Sequence, residues 1–131
     1  MNRYVTLFAI LILVILSGCD KKEEVNLVAN TDSWKINVNY LPSKHGYIEK
    51  QTIEYIGKTP LNKVDLSINY KNNSSTVNTL KVETLVGVGP QQLPTRTEVD
   101  NWKNAKNVKI TWTEKDTLHE ETVRLTPSTQ E

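Results

Sequence analysis

The sequence predicts an all-β sandwich of about seven strands, set behind a signal helix that is cleaved off. Three observations predict it. Apolar and polar residues alternate over at least five stretches between residues 34 and 125, the period of a strand with one face buried. Turn-forming clusters separate these stretches at intervals of roughly ten residues. A charge-free run from Tyr4 to Leu16 stands apart at the amino end, and its thirteen residues fall short of the ~20 that span a bilayer as a helix.

The leader is ordered as a secretory signal: Arg3, the apolar run, then the small residues Ser17 and Gly18, then Cys19 and the charged stretch Asp20-Lys21-Lys22-Glu23-Glu24. Its exit, Leu16-Ser17-Gly18-Cys19, resembles the lipobox of bacterial lipoproteins. That resemblance covers residues 1–19 only. It implies that the Cys19 thiol receives a diacylglyceryl group and that a peptidase cuts between Gly18 and Cys19. Residues 1–18 are then the signal peptide, and 19–24 the lipidated cysteine with its charged tether. The partner implied is the membrane itself, held through lipid on Cys19, at the outer face of the bacterial plasma membrane. The alternative is an uncleaved anchor helix with an incidental cysteine. Acyl chains of this kind hold stably, each buried methylene adding ~0.8 kcal/mol.

Cleavage leaves 113 of the 131 residues. The whole chain carries sixteen basic and fifteen acidic residues, and removal of Arg3 balances them. A neutral domain of this kind is not a nucleic-acid binder driven by phosphate neutralisation. The single cysteine excludes an intrachain disulfide framework and a multi-cysteine zinc site. About 110 residues bury enough surface to fold without staples.

The domain is expected over residues 25–126, with 127–131 as a tail. Trp34, Ile36, Val38 and Tyr40 form the first clear alternation; Val64, Leu66, Ile68 and Tyr70 the second; Leu80, Val82, Thr84, Val86 and Val88 the third, with Leu85 on the other face. Val108, Ile110 and Trp112 follow, then Val123 and Leu125. Val25 to Ala29 and Tyr47 to Ile56 complete seven. A bulge near Glu54 would bring Ile53, Tyr55 and Ile56 onto one face. Pro42 to Gly46 and Gly57 to Pro60 read as turns, Asn72 to Ser75 as a polar loop. Lys115-Asp116 can close a tight hairpin, although the usual glycine is missing.

The stretch from Gly87 to Asn107 breaks the alternation. Thr95 to Glu98 matches a capping box, and Val99 and Trp102 lie three apart. A single short helix is expected near residues 96–104, as a crossover between two sheets. Helices so short hold only by docking. Strand count and crossover together resemble an immunoglobulin-like sandwich, without the Cys…Trp…Cys signature of antibody domains. A small closed barrel is the other architecture, and it would want eight good strands. The core expected is Trp34, Ile36, Val38, Leu66, Ile68, Val82, Val86, Ile110, Trp112, Val123 and Leu125.

No constellation here announces catalysis. His45 lies in a turn. His119 and Glu121 share one strand face while Glu120 points away, giving fewer ligands than a zinc site uses. No serine has the Gly-x-Ser-x-Gly context of a nucleophile elbow. Gly87-Val88-Gly89-Pro90 lacks the third glycine and, at Pro90, the amide that a phosphate cradle needs. No cofactor or metal is expected. Trp102, in the long connection, is the candidate binding residue. It serves either as a plug on the open end of the sandwich or as an exposed anchor for a partner. The function expected is a lipid-anchored binding or interaction module with a protein or envelope partner, and not an enzyme; the alternative is a small anchored envelope enzyme.

Overall fold

The computed structural model describes residues 21–94 and 96–129. Gly18, Cys19, the rest of the leader and Thr95 lie outside the described residues. Two antiparallel sheets face one another. Seven strands are long: β1 (Val25–Asn30), β2 (Trp34–Pro42), β3 (Tyr47–Tyr55), β4 (Lys63–Tyr70), β5 (Ser75–Lys81), β8 (Ala105–Glu114) and β9 (Thr117–Arg124). Three are short: β6 (Gln91–Gln92), β7 (Thr97–Val99) and β10 (Thr126–Pro127). The first sheet runs β10-β1-β2-β3, with β6 and β7 both on the far side of β3. The second runs β5-β4-β8-β9.

Period-two burial makes this a sandwich. In β2, Trp34, Ile36, Val38 and Tyr40 are buried; in β4, Val64, Leu66, Ile68 and Tyr70; in β8, Val108, Ile110 and Trp112. Leu27 and Ala29 of β1, Ile53 and Tyr55 of β3 and Leu80 of β5 fill the gap between the sheets. At one end, Trp34 packs against Tyr55 and edge-on to Trp112, with ring centroids 4.7 and 5.3 Å apart. Leu61, Leu85, Leu93 and Leu125 close the core from connections.

Several expectations change. The third alternation does not form a strand over 80–88. β5 lies earlier, and Val82 and Val86 pack only partly buried against the core while Leu85 is the buried residue. The cause is local. The Val82 and Leu85 amides donate to the Asn62 and Leu61 carbonyls, and Gly87 and Gly89 take φ of 72° and 73°, which a strand cannot hold. Val123, on the edge strand β9, is likewise only partly buried. The β2–β3 register runs unbroken from Trp34↔Tyr55 to Pro42↔Tyr47, so there is no bulge at Glu54 and Ile56 is exposed beyond the strand. The irregularity falls instead between Asn69 and Tyr70, in the β4–β8 ladder.

The helix expected at 96–104 is replaced by β7 and a three-residue 3-10 turn, Trp102–Asn104. Residues 97–99 find backbone partners across β3 at Tyr47, Ile48 and Glu49, so helical bonding loses its advantage. The Glu98 carboxylate accepts from the Ser43 hydroxyl at 3.0 Å rather than capping a helix. Asn101 is the cap, its side chain accepting from the Lys103 amide at 3.0 Å. The segment still joins the sheets: it leaves β5, pairs twice with β3 and returns to β8. At the other edge, β10 pairs with β1 and the Ser128 amide donates to the Asn26 carbonyl, so the sheet extends past residue 126. Lys115 and Asp116 do turn the β8–β9 hairpin in two residues, both left-handed at φ 48° and 63°.

Candidate binding groove

The start of β1 pairs with Tyr40, and Tyr40 in turn with Glu49. The end of β4 pairs with the start of β8. Tyr40 and Tyr70 meet between the sheets, their hydroxyl oxygens 3.3 Å apart. One end of the sandwich is thus built from the tether, the β2–β3 turn, the β4–β5 turn, the 3-10 turn and the end of β9. This is the tether end.

On one flank of that end lies a groove of about 720 Å³. Its floor is apolar: Leu27, Leu125, Pro127, Ala105 and the half-buried ring of Trp102. Its rim is cationic, with Lys71, Lys103, Lys106 and Arg124 all exposed. Pairing explains their convergence. Asn107 sits opposite Arg124 in the β8–β9 ladder, and the Lys71 amide donates to the Asn104 carbonyl at 2.9 Å. Among the described residues the ion pairs are Lys63–Asp65 and Lys109–Glu120, so no rim cation has a carboxylate partner. Among the described residues no Asp or Glu lines the groove. The Lys103 ammonium stands 6.0 Å from the centre of the Trp102 ring, in cation–π range. Four unneutralised cations over an apolar floor attract an anion that also carries apolar or planar surface.

On the opposite flank a smaller cleft of about 280 Å³ is polar and acidic, lined by Glu98 and Asp100 with Ser74, Thr76, Asn101 and Tyr70. Behind it lies a buried polar cluster that alternation of hydrophobic residues could not reveal. Glu49, 1% exposed, accepts hydrogen bonds from Tyr40 at 2.8 Å, from Tyr70, and from Gln51 and Thr76 at 2.7 Å each. The Asn78 amide donates to the Gln51 carbonyl oxygen at 3.2 Å. Burial, and after it the Glu49 carboxylate, push the Tyr40 hydroxyl far above the ordinary tyrosine range. The signal was present as polar residues at inward positions of two strands, Glu49 and Gln51 in β3 and Thr76 and Asn78 in β5.

Of the residues singled out from sequence, Trp102 lines the groove and packs, partly buried, against the core. His45 is exposed in the β2–β3 turn. His119 stacks on Trp112 at the far end, ring centroids 5.4 Å apart. Among the described residues no group of three or more His, Cys, Asp or Glu side chains could hold a metal ion. No helix among them is long and apolar enough to cross a membrane. Compared with protein-family models, with curated proteins and with solved structures, the chain finds no match.

Proposed function

We propose that the chain is a lipid-anchored binding module on the outer face of the plasma membrane, held by acylated Cys19, and that the Trp102 groove receives an anionic group. The signal architecture and the lipobox-like Leu16-Ser17-Gly18-Cys19 support the anchor. The observation that carries the binding role is the rim of Lys71, Lys103, Lys106 and Arg124 around a half-buried tryptophan, with no carboxylate among the described lining residues. Solvated surfaces ordinarily intersperse both signs of charge, so a one-signed concavity points to a ligand. The alternative, an anchored enzyme, draws no support from His45 and His119, which sit at opposite ends of the sandwich.

The test is photo-crosslinking in cells from position 102 of the full-length chain. A reproducible adduct is expected, several-fold weaker when Lys106→Gln and Arg124→Gln are combined. A folded, membrane-held protein that gives no adduct would remove the groove as the binding site.

A further inference from the structure

We infer that the occupant of the Trp102 groove is the anionic phospholipid surface that carries the anchor, so that the domain lies groove-down on its own membrane. This rests on the anchored reading above and adds the chemistry of the partner and the orientation of the domain.

Position comes first. The tether leaves the domain at the end that bears the groove. Lys22 donates to the Ser43 carbonyl at 3.2 Å and stands 5.9 Å from the Tyr47 ring. Glu24 accepts from Asn39 at 2.6 Å. Residues 22–24 are therefore laid against the β2–β3 corner. Three further residues lead from Lys22 back to Cys19, a reach of ~10 Å at full extension. Acyl chains on Cys19 hold this end within about one Debye length of the bilayer surface.

Charge then selects the flank. Lys71, Lys103, Lys106 and Arg124 rim one side of the end, while Glu98 and Asp100 line the other. An anionic surface attracts the first flank and repels the second, which tilts the domain toward the groove. Juxtamembrane clusters of Lys and Arg bind anionic lipid in this way. Trp102 adds an indole at the level where tryptophan partitions best, the headgroup boundary. A soluble acidic partner fits the same charges but not the location, because it would have to enter between the anchored end and the bilayer. In the groove-down pose, the far end with its exposed Ile56 and Val88 faces away from the membrane.

The experiment uses the full-length lipidated protein, purified from membranes and reconstituted into two vesicle types. One is phosphatidylcholine alone; the other contains roughly a third phosphatidylglycerol, an anionic lipid. Flotation with vesicles is checked first. Tryptophan emission is then quenched with brominated lipids from the membrane side and with acrylamide from the aqueous side. In the phosphatidylglycerol vesicles a lipid-quenched component is expected that is absent from Trp102→Phe. It should fall several-fold with Lys106→Gln plus Arg124→Gln, and fall as salt is raised. Those two exposed positions keep the comparison informative if Trp102→Phe unfolds the domain. A protein that floats while Trp102 is quenched by acrylamide and not by lipid would overturn the inference and leave the anchor standing. So would a Trp102 shielded from both quenchers, which would make it a plug packed on the core rather than a membrane contact. Failure to float would overturn the anchor, and this inference with it.

Discussion

The Tyr70 hydroxyl, from one sheet, donates to the buried carboxylate of Glu49 in the other. With Tyr40, Gln51 and Thr76 on the same carboxylate, the two sheets are tied by a polar cluster inside an otherwise apolar core. A buried carboxylate is tolerated where its oxygens are satisfied, and here each oxygen accepts two hydrogen bonds.

Removing that acceptor leaves several buried donors without a partner. Glu49→Ala is expected to cost about 2–5 kcal/mol, because each stranded donor loses on the order of 1–3 kcal/mol and the losses overlap. Tyr70→Phe should cost less, since the carboxylate keeps Tyr40, Gln51 and Thr76. Urea unfolding of the two variants and of the double variant measures the coupling. A double variant equal to the sum of the singles would mean that the two residues act independently.

Alkaline stability follows from Tyr40. Its hydroxyl is held above the ordinary range when folded, so above about pH 10 the unfolded chain loses this proton while the folded chain keeps it. The stabilisation is fully present below the unfolded value and is lost as pH rises past it. Stability should therefore fall above about pH 10. Tyr40→Phe, less stable at neutral pH, should show a shallower fall. A slope unchanged by Tyr40→Phe would assign the alkaline loss to other groups.

The β8–β9 hairpin holds Lys115 and Asp116 at positive φ, a region that costs non-glycine residues roughly 1 kcal/mol or more. Asp116→Gly is expected to raise stability by about 0.5–1 kcal/mol, the part of that strain left after glycine's own entropy loss. Thermal melts read the change directly, and a lowered midpoint would contradict it.

Gly46 is the reverse case. A Cβ there would collide with the Val99 carbonyl oxygen, with Asp100 Cα at 3.1 Å. Both neighbours are backbone and cannot swing aside. Gly46→Ala should lever β7 off β3 and expose the amides of residues 97–99 to hydrogen exchange. Unchanged protection at those amides would contradict the packing.

Ile68, buried at 0% exposure in the middle of β4, is the simplest core test. Ile68→Ala is expected to cost about 2–5 kcal/mol through lost transfer energy and the cavity left behind. A loss below about 1 kcal/mol in urea would remove it from the core.

What the sequence made legible was its apolar alternation. β2, β4 and β8 carry Trp, Ile, Val, Leu and Tyr at every inward position of their central runs, and all three stood out. β5 did not. Its inward residues include Thr76 and the buried Asn78, while Val77 points out at 62% exposure, so its pattern runs against hydrophobicity. The inversion has a cause, since these polar residues meet Gln51 and Glu49 across the sandwich. The segment at 96–104 carried a local helix signal that strand pairing with β3 overrode. Of the groove, only Trp102 was visible. Lys71, Lys106 and Arg124 come from a turn and two strands, and nothing in their spacing announces that β-sheet register brings them to one rim.

The groove-down orientation depends on whether the chain is cut before Cys19 and acylated there. The most direct measurement is the mass of the amino-terminal peptide of the protein isolated from cell membranes. Lipid anchoring predicts a peptide that starts at Cys19 and bears a thioether-linked diacylglyceryl group. A peptide that retains residues 1–18, or that starts at an unmodified Cys19, would contradict it.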